Sequence, residues 1–303
     1  MQPNAFTNDL FTSASTRSDG ARRLAGRTLC LVLATLLTGC EWEIFTDDKD
    51  GNSSRVDVTS RLTGAEIGVS SLAESLPIYT DGLGMEVVTE IETSAVRQVI
   101  LAAPDSPFSA QLTLTQFMDG VGRNVTDNPG KLVFYAPDAS AYAMAFQNAG
   151  GNLTLPPTPQ GEFGIVGFGR DPDNNLIEMV QSSEAEGPYF AAFGIGVSNL
   201  EAARDFYQDM VGLEEILFLE IPERYDEYIM GTTEDATLPL VLMNWTDGSN
   251  RRYQGNETSV RLATTDPELL AEQTTPRGEN FPQDLDGNRL LIRSQPLVLE
   301  DAD

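Results

Sequence analysis

Residues 68–86 read GVSSLAESLPIYTDGLGME, and residues 196–214 read GVSNLEAARDFYQDMVGLE. Gly68/Gly196, Val69/Val197, Leu72/Leu200, Tyr79/Tyr207, Asp81/Asp209, Gly84/Gly212 and Glu86/Glu214 all stand 128 positions apart. The same spacing carries LTLTQFMDG (112–120) onto LVLMNWTDG (240–248), and Asp138 onto Asp266. Further on, DPDNNLIEM (171–179) matches DLDGNRLLI (284–292) at a spacing of 113. Two copies of one unit account for this, the second shortened by 15 residues near its end.

Each copy has the same local grammar. Ala65–Val69 and Phe193–Val197 are short strand-like runs, and Ser71 and Asn199 are N-cap residues. Leu72, Leu76 and Tyr79 then recur at helical spacing, as do Leu200, Ala203 and Tyr207. This pattern places the tyrosines in the core. Glycines at 82, 84 and 212 close the helices. Residues 132–151 restart the pattern as strand then helix. The steps Asp173-Asn174-Asn175 and Asp286-Gly287-Asn288 are tight-turn chemistry before a last apolar strand.

The string VSNLEAARDFYQDMVGLE, with DPDNNLIEM, resembles the vicinal oxygen chelate superfamily, which includes glyoxalase I, bleomycin-resistance proteins and extradiol dioxygenases. The resemblance implies an α+β fold of paired βαβββ modules, two modules to a domain, whose curved sheets enclose a cavity. Two tandem domains are expected, over 62–182 and 189–295. Their boundary is expected near 183–188, where Gly187-Pro188 interrupts the pattern.

The family's metal enzymes draw ligands from the first and last strand of each module. Residue by residue, those positions hold Gly64, Thr113, Lys131 and Glu178 in the first domain, and Ala192, Val241, Ser259 and Leu291 in the second. Glu178 alone is a competent ligand, so no metal and no cofactor are expected. Strand alternation puts Glu66, Lys131, Tyr135 and Glu178 together in the first cavity. They form either a polar anchor or acid/base set, or a structural ion pair filling an abandoned metal site. Gly194 and Gly196 would leave room in the second cavity, with Arg261 as its cation.

The chain has 303 residues, 41% hydrophobic and 21% charged, so a packed core is available. Lys and Arg number 19 against 46 Asp and Glu, a net charge of −27 that repels a phosphate backbone, and no nucleic-acid partner is expected. There is no histidine, which removes His-dependent triads and His-ligated metals.

The first forty residues read as an address. Residues 1–27 carry Arg17, Arg22, Arg23 and Arg27, and TLCLVLATLLT (28–38) is uncharged and too short to span a bilayer. Leu37-Thr38-Gly39-Cys40 resembles a bacterial lipobox. This implies a lipoprotein signal peptide over 1–39, acylation of Cys40, an acidic tether over 40–61 and a lipid anchor to the membrane. Glu41 after the cysteine implies the outer membrane, facing the periplasm. Cys30 is the other cysteine and lies in the expected signal, so no disulfide is expected. Asp48, Asp50 and Gly51 read as solvated linker rather than a calcium loop.

Three functions compete. The first is a metal-free small-molecule-binding lipoprotein resembling bleomycin-resistance members. The second is a metal-independent lyase or isomerase using Lys131 with Glu178 or Glu66. Tyr135 and Arg261 are the candidate ligand-binding residues. The third is a structural or partner-binding lipoprotein with vestigial cavities.

Overall fold

The computed structural model describes residues 58–104, 106, 108, 110–232 and 237–294. The expected signal peptide, Cys40 and the tether up to residue 57 lie outside these residues.

The repeat builds four modules. The first holds β1 (Ser60–Gly68), α1 (Leu72–Pro77), β2 (Glu86–Glu92), β3 (Val96–Ala102) and β4 (Gln111–Phe117). The second holds β5 (Lys131–Ala136), α2 (Ala139–Asn148), β6 (Asn152–Pro159), β7 (Ile165–Arg170) and β8 (Leu176–Gln181). The third holds β9 (Tyr189–Gly196), α3 (Leu200–Phe206), β10 (Glu214–Ile221), β11 (Tyr225–Gly231) and β12 (Leu240–Trp245). The fourth holds β13 (Thr258–Thr264), α4 (Pro267–Thr274) and β14 (Arg289–Ser294).

All four helices start on a side-chain cap. Ser71 accepts from the Glu74 N–H at 3.3 Å and Asn199 from the Ala202 N–H at 3.2 Å. Asp138 accepts from the Ser140 and Ala141 N–H groups, and Asp266 from that of Leu269 at 2.9 Å. Each cap satisfies donors that the first helical turn cannot.

The modules pair crosswise. Strand β1 runs antiparallel to β13 and parallel to β4, which makes a six-stranded sheet in the order β14-β13-β1-β4-β3-β2. Strand β5 runs antiparallel to β9 and parallel to β8, which makes an eight-stranded sheet in the order β10-β11-β12-β9-β5-β8-β7-β6. The first module thus shares a sheet with the fourth, and the second with the third. The 15-residue deletion falls where β6 and β7 stand in the second module, which is why one sheet is two strands narrower.

The helix-bearing faces of the two sheets share one core. Ile67 and Leu112 from the six-stranded sheet join Phe134, Phe193 and Ile195 from the eight-stranded one, with Tyr79, Phe146, Tyr207 and Leu270 from the helical segments. A second apolar cluster, including Val133, Val166, Ala192, Ile229 and Val241, belongs to the eight-stranded sheet.

Two equivalent bonds tie the sheets together. Helices α1 and α3 each run on into a π-helical turn, Ile78–Gly82 and Tyr207–Val211, carrying fully buried Tyr79 and Tyr207. Tyr79 donates to Asp171 Oδ2 at 2.8 Å, and Tyr207 donates to Asp284 Oδ2 at 3.1 Å. Each aspartate also accepts three bonds from within its own turn. These turns need a left-handed residue, Asn174 at φ 64° in one and Gly287 at φ 83° in the other. Burial first, then the facing carboxylate, holds both phenols well above their ordinary pKa, so they remain donors.

Removing either phenol hydroxyl takes one of two donors from a buried carboxylate oxygen. Tyr79→Phe and Tyr207→Phe are each expected to lower the unfolding free energy by about 1–3 kcal/mol in a denaturant titration. A change below roughly 0.3 kcal/mol in both variants would show that the bonds do not hold the sheets.

Candidate functional site

Strand alternation aims Lys131, Val133 and Tyr135 of β5 away from the helix layer, onto the same side as Ala192, Ile229 and Val241. They line a cavity of about 210 Å³ whose other walls include Phe163, Val166, Val180, Leu217 and Leu219. Its polar end holds Lys131, Glu178 from β8 and Glu227 from β11. The Lys131 stem passes over Gly194, where a Cβ would come within 2.8 Å of Lys131 Cγ. A side chain at 194 would push the ammonium out of place.

Lys131 Nζ lies 2.9 Å from Glu178 Oε2 and 2.8 Å from Glu227 Oε2. The Lys131 and Glu227 side chains are each 4% exposed and that of Glu178 14%. The Tyr225 ring stands 5.3 Å from the ammonium, a further favourable contact. Burial pulls the Lys131 pKa down, but Glu178 and Glu227 outweigh it and hold the ammonium charged well above the usual lysine range. At Glu227 burial dominates and lifts the carboxyl, with Lys131 opposing and Glu178 adding to the rise. The site is therefore one fixed cation between two carboxylates, of which Glu227 takes up a proton more readily than a solvated glutamate.

The sequence-derived residues divide between the sheets. Lys131, Glu178 and Tyr135 do share the cavity. Glu66 does not join them. It faces the outer side of the six-stranded sheet, where Oε1 accepts from Gln98 at 3.1 Å and Thr115 at 2.7 Å, and Oε2 lies 3.0 Å from Arg261 Nη2. The expectation of Glu66 beside Lys131 fails because β1 pairs with β13, not with β5. Gly194 likewise belongs with Lys131 rather than with Arg261, and the lysine stem takes the space a missing side chain leaves.

The crosswise pairing also regroups the family's metal positions. Lys131, Glu178, Ala192 and Val241 all line the cavity, whereas Gly64, Thr113, Ser259 and Leu291 belong to the six-stranded sheet. A divalent ion does not fit either set. In the cavity the ammonium already sits at both carboxylates, and a dication would have to enter against its repulsion. The other set offers hydroxyls and no carboxylate. Among the described residues, no three His, Cys, Asp or Glu side chains converge as a metal-ligand group.

Residues 61–179 match the model of the Glyoxalase/Bleomycin resistance protein/Dioxygenase superfamily. The chain is 22% identical over 203 residues to a lactoylglutathione lyase of Arabidopsis thaliana, covering 65% of this chain and 71% of that protein. It is 20% identical over 245 residues to a lactoylglutathione lyase of Oryza sativa, covering 78% and 81%. The crystal structure of glyoxalase I from Zea mays superposes with a TM-score of 0.63 at 20% identity, over 78% of this chain and 93% of that one. That likeness shows the fold alone: a glyoxalase-like arrangement of two mixed sheets built from repeated modules.

Glu227 escaped the sequence reading. Its signal is the alternation Tyr225-Glu227-Ile229 in YDEYIMG, an acid between two apolar residues on one strand face. That face reads as a cavity wall only once β11 is known to follow β12, β9 and β5 in the sheet.

Lys131→Met would leave two buried carboxylates facing each other, and is expected to cost about 3–5 kcal/mol at pH 7. Without the ammonium that opposes it, burial lifts the Glu227 carboxyl further, so it binds a proton more tightly folded than unfolded and stability rises as pH falls. The deficit should therefore narrow toward pH ~5. Urea midpoints across this range test it; a deficit that is small or independent of pH would contradict the ion-triad description.

Proposed function

We propose that this protein binds a small, largely apolar molecule without a metal ion, in the cavity over Lys131. The single observation that carries this reading is the ammonium fixed between Glu178 and Glu227 at the end of an apolar pocket of about 210 Å³. Pockets of this composition take up an apolar body and orient it through a few convergent polar groups. The triad supplies those groups, and Tyr135 stands on the same wall. The reading resembles the metal-free, bleomycin-resistance type of superfamily member.

A lyase activity like that named for the plant relatives finds less support in these residues. Lys131 is held charged and so is no base, and Glu66 lies on the other sheet. Fold likeness alone does not transfer a reaction. We further propose that the protein is exported and anchored through acylated Cys40 at the outer membrane, its pocket facing the periplasm.

Native mass spectrometry of protein extracted from its host's membranes reads both proposals at once. The polypeptide is expected to begin at a diacylated Cys40 and to carry a noncovalent small molecule that Ala192→Leu, which fills the pocket, excludes. An unmodified N-terminus upstream of Cys40 would overturn the anchor. An empty pocket in freshly extracted protein would overturn the binding function.

A further inference from the structure

The outer face of the six-stranded sheet has a charge opposite to the rest of the molecule. Strands β1, β13 and β14 carry Arg61, Arg261, Arg289 and Arg293 against one carboxylate, Glu66, in a chain with 46 acidic and 19 basic residues. Register puts all of them on one face. Arg61 lies opposite Ala263, which lies opposite Arg293, and the next row holds Arg261 opposite Leu291. Glu66 lies opposite Ser259, and Ser259 opposite Arg289. The alternate residues Leu62, Val260, Leu262 and Leu290 point into the core, so the arginines point away from it.

Two of the arginines are committed and two are not. Arg289 stacks on Phe281 and lies 3.7 Å from Glu257, and Arg261 uses one Nη on Glu66. Among the described residues no carboxylate pairs with Arg61 or Arg293. The Nε groups of Arg61 and Arg261 are buried with no hydrogen-bond acceptor among the described residues. Thr113, fully buried and opposite Glu66 on the same face, leaves its hydroxyl unpaired there too. Buried donors without acceptors are unfavourable unless something supplies the acceptors.

We propose that this face is a second ligand site, for a small multivalent oxyanion bearing phosphate or several carboxylates. Neighbouring strands lie ~4.8 Å apart, so the Arg61 and Arg293 backbones stand about 10 Å apart across Ala263, with Arg261 roughly 7 Å along the middle strand. Three guanidinium groups on long stems are rooted around the fully buried methyl group of Ala263. Guanidinium forks match oxyanions in geometry as well as charge. The missing two strands matter here. Among the described residues strand β14 is the edge of this sheet and no strand follows beside Arg293, where β7 and β6 continue the equivalent sheet. The site is separate from the cavity over Lys131, and its fate does not depend on that reading.

Calorimetric titration of the whole protein with inorganic phosphate and with citrate, at constant ionic strength in sodium chloride, tests the proposal. The net charge of −27 disfavours diffuse anion binding, so a saturable one-to-one isotherm reports a local site. At least one of the two anions is expected to bind in this way. Arg61→Gln and Arg293→Gln should each weaken it tenfold or more with an unchanged urea midpoint. Phosphate binding alone would assign a phosphate-bearing ligand, and citrate binding alone a polycarboxylate. No saturable binding of either anion at 10 mM, or binding that the two arginine variants leave unchanged, would overturn the proposal.

Discussion

Two buried phenol–carboxylate bonds, Tyr79 to Asp171 and Tyr207 to Asp284, set the geometry on which the remaining features rest. Each joins a helical segment connected to one sheet to a turn that leads into a strand of the other sheet. A fully buried carboxylate is tolerated only with several donors aimed at it, and each of these aspartates accepts four bonds. The turn and the helix must therefore meet. Because both pins cross between sheets, the first module is held against the second while each finds its strand partner in the other half of the chain.

That crosswise arrangement decides what each sheet carries on the face turned away from the shared core. It brings Glu227 of the third module to Lys131 and Glu178 of the second, so one ammonium stands between two carboxylates. It brings Arg261 of the fourth module to Glu66 of the first. The two faces have diverged in opposite directions. One became apolar and walled, closed around a charged triad; the other lost two strands, stayed open at its edge and gathered arginines. Duplication followed by divergence at the sites, with the pins retained in both copies, accounts for the near-identical turns and the dissimilar faces.

Much of the fold was legible because its signals are local. The 128-residue spacing, the caps at Ser71 and Asn199 and the turns at 173–175 and 286–288 depend on neighbours a few residues away. The presence of Lys131, Glu178 and Tyr135 in one cavity followed from strand alternation within a single module. Module pairing was not legible, since β5 and β13 carry similar strand signals and either could complete a sheet with β1. That one ambiguity separated Glu66 from Lys131, hid Glu227 and masked the arginine face. Arg61, Arg261 and Arg293 lie on three strands distant in sequence, and only the register of β1, β13 and β14 puts them together.

In the cavity the Lys131 ammonium itself is the cation that balances Glu178 and Glu227, which leaves no place for a metal ion between them. Anomalous diffraction from crystals soaked in zinc and in manganese, recorded at each metal's absorption edge, tests this. Continuous density for the Lys131 ammonium between Glu178 and Glu227 is expected with no anomalous peak there, and peaks at that point only when Lys131→Ala vacates it. A full-occupancy metal peak between the two carboxylates of the unaltered protein, with the lysine turned aside, would contradict it.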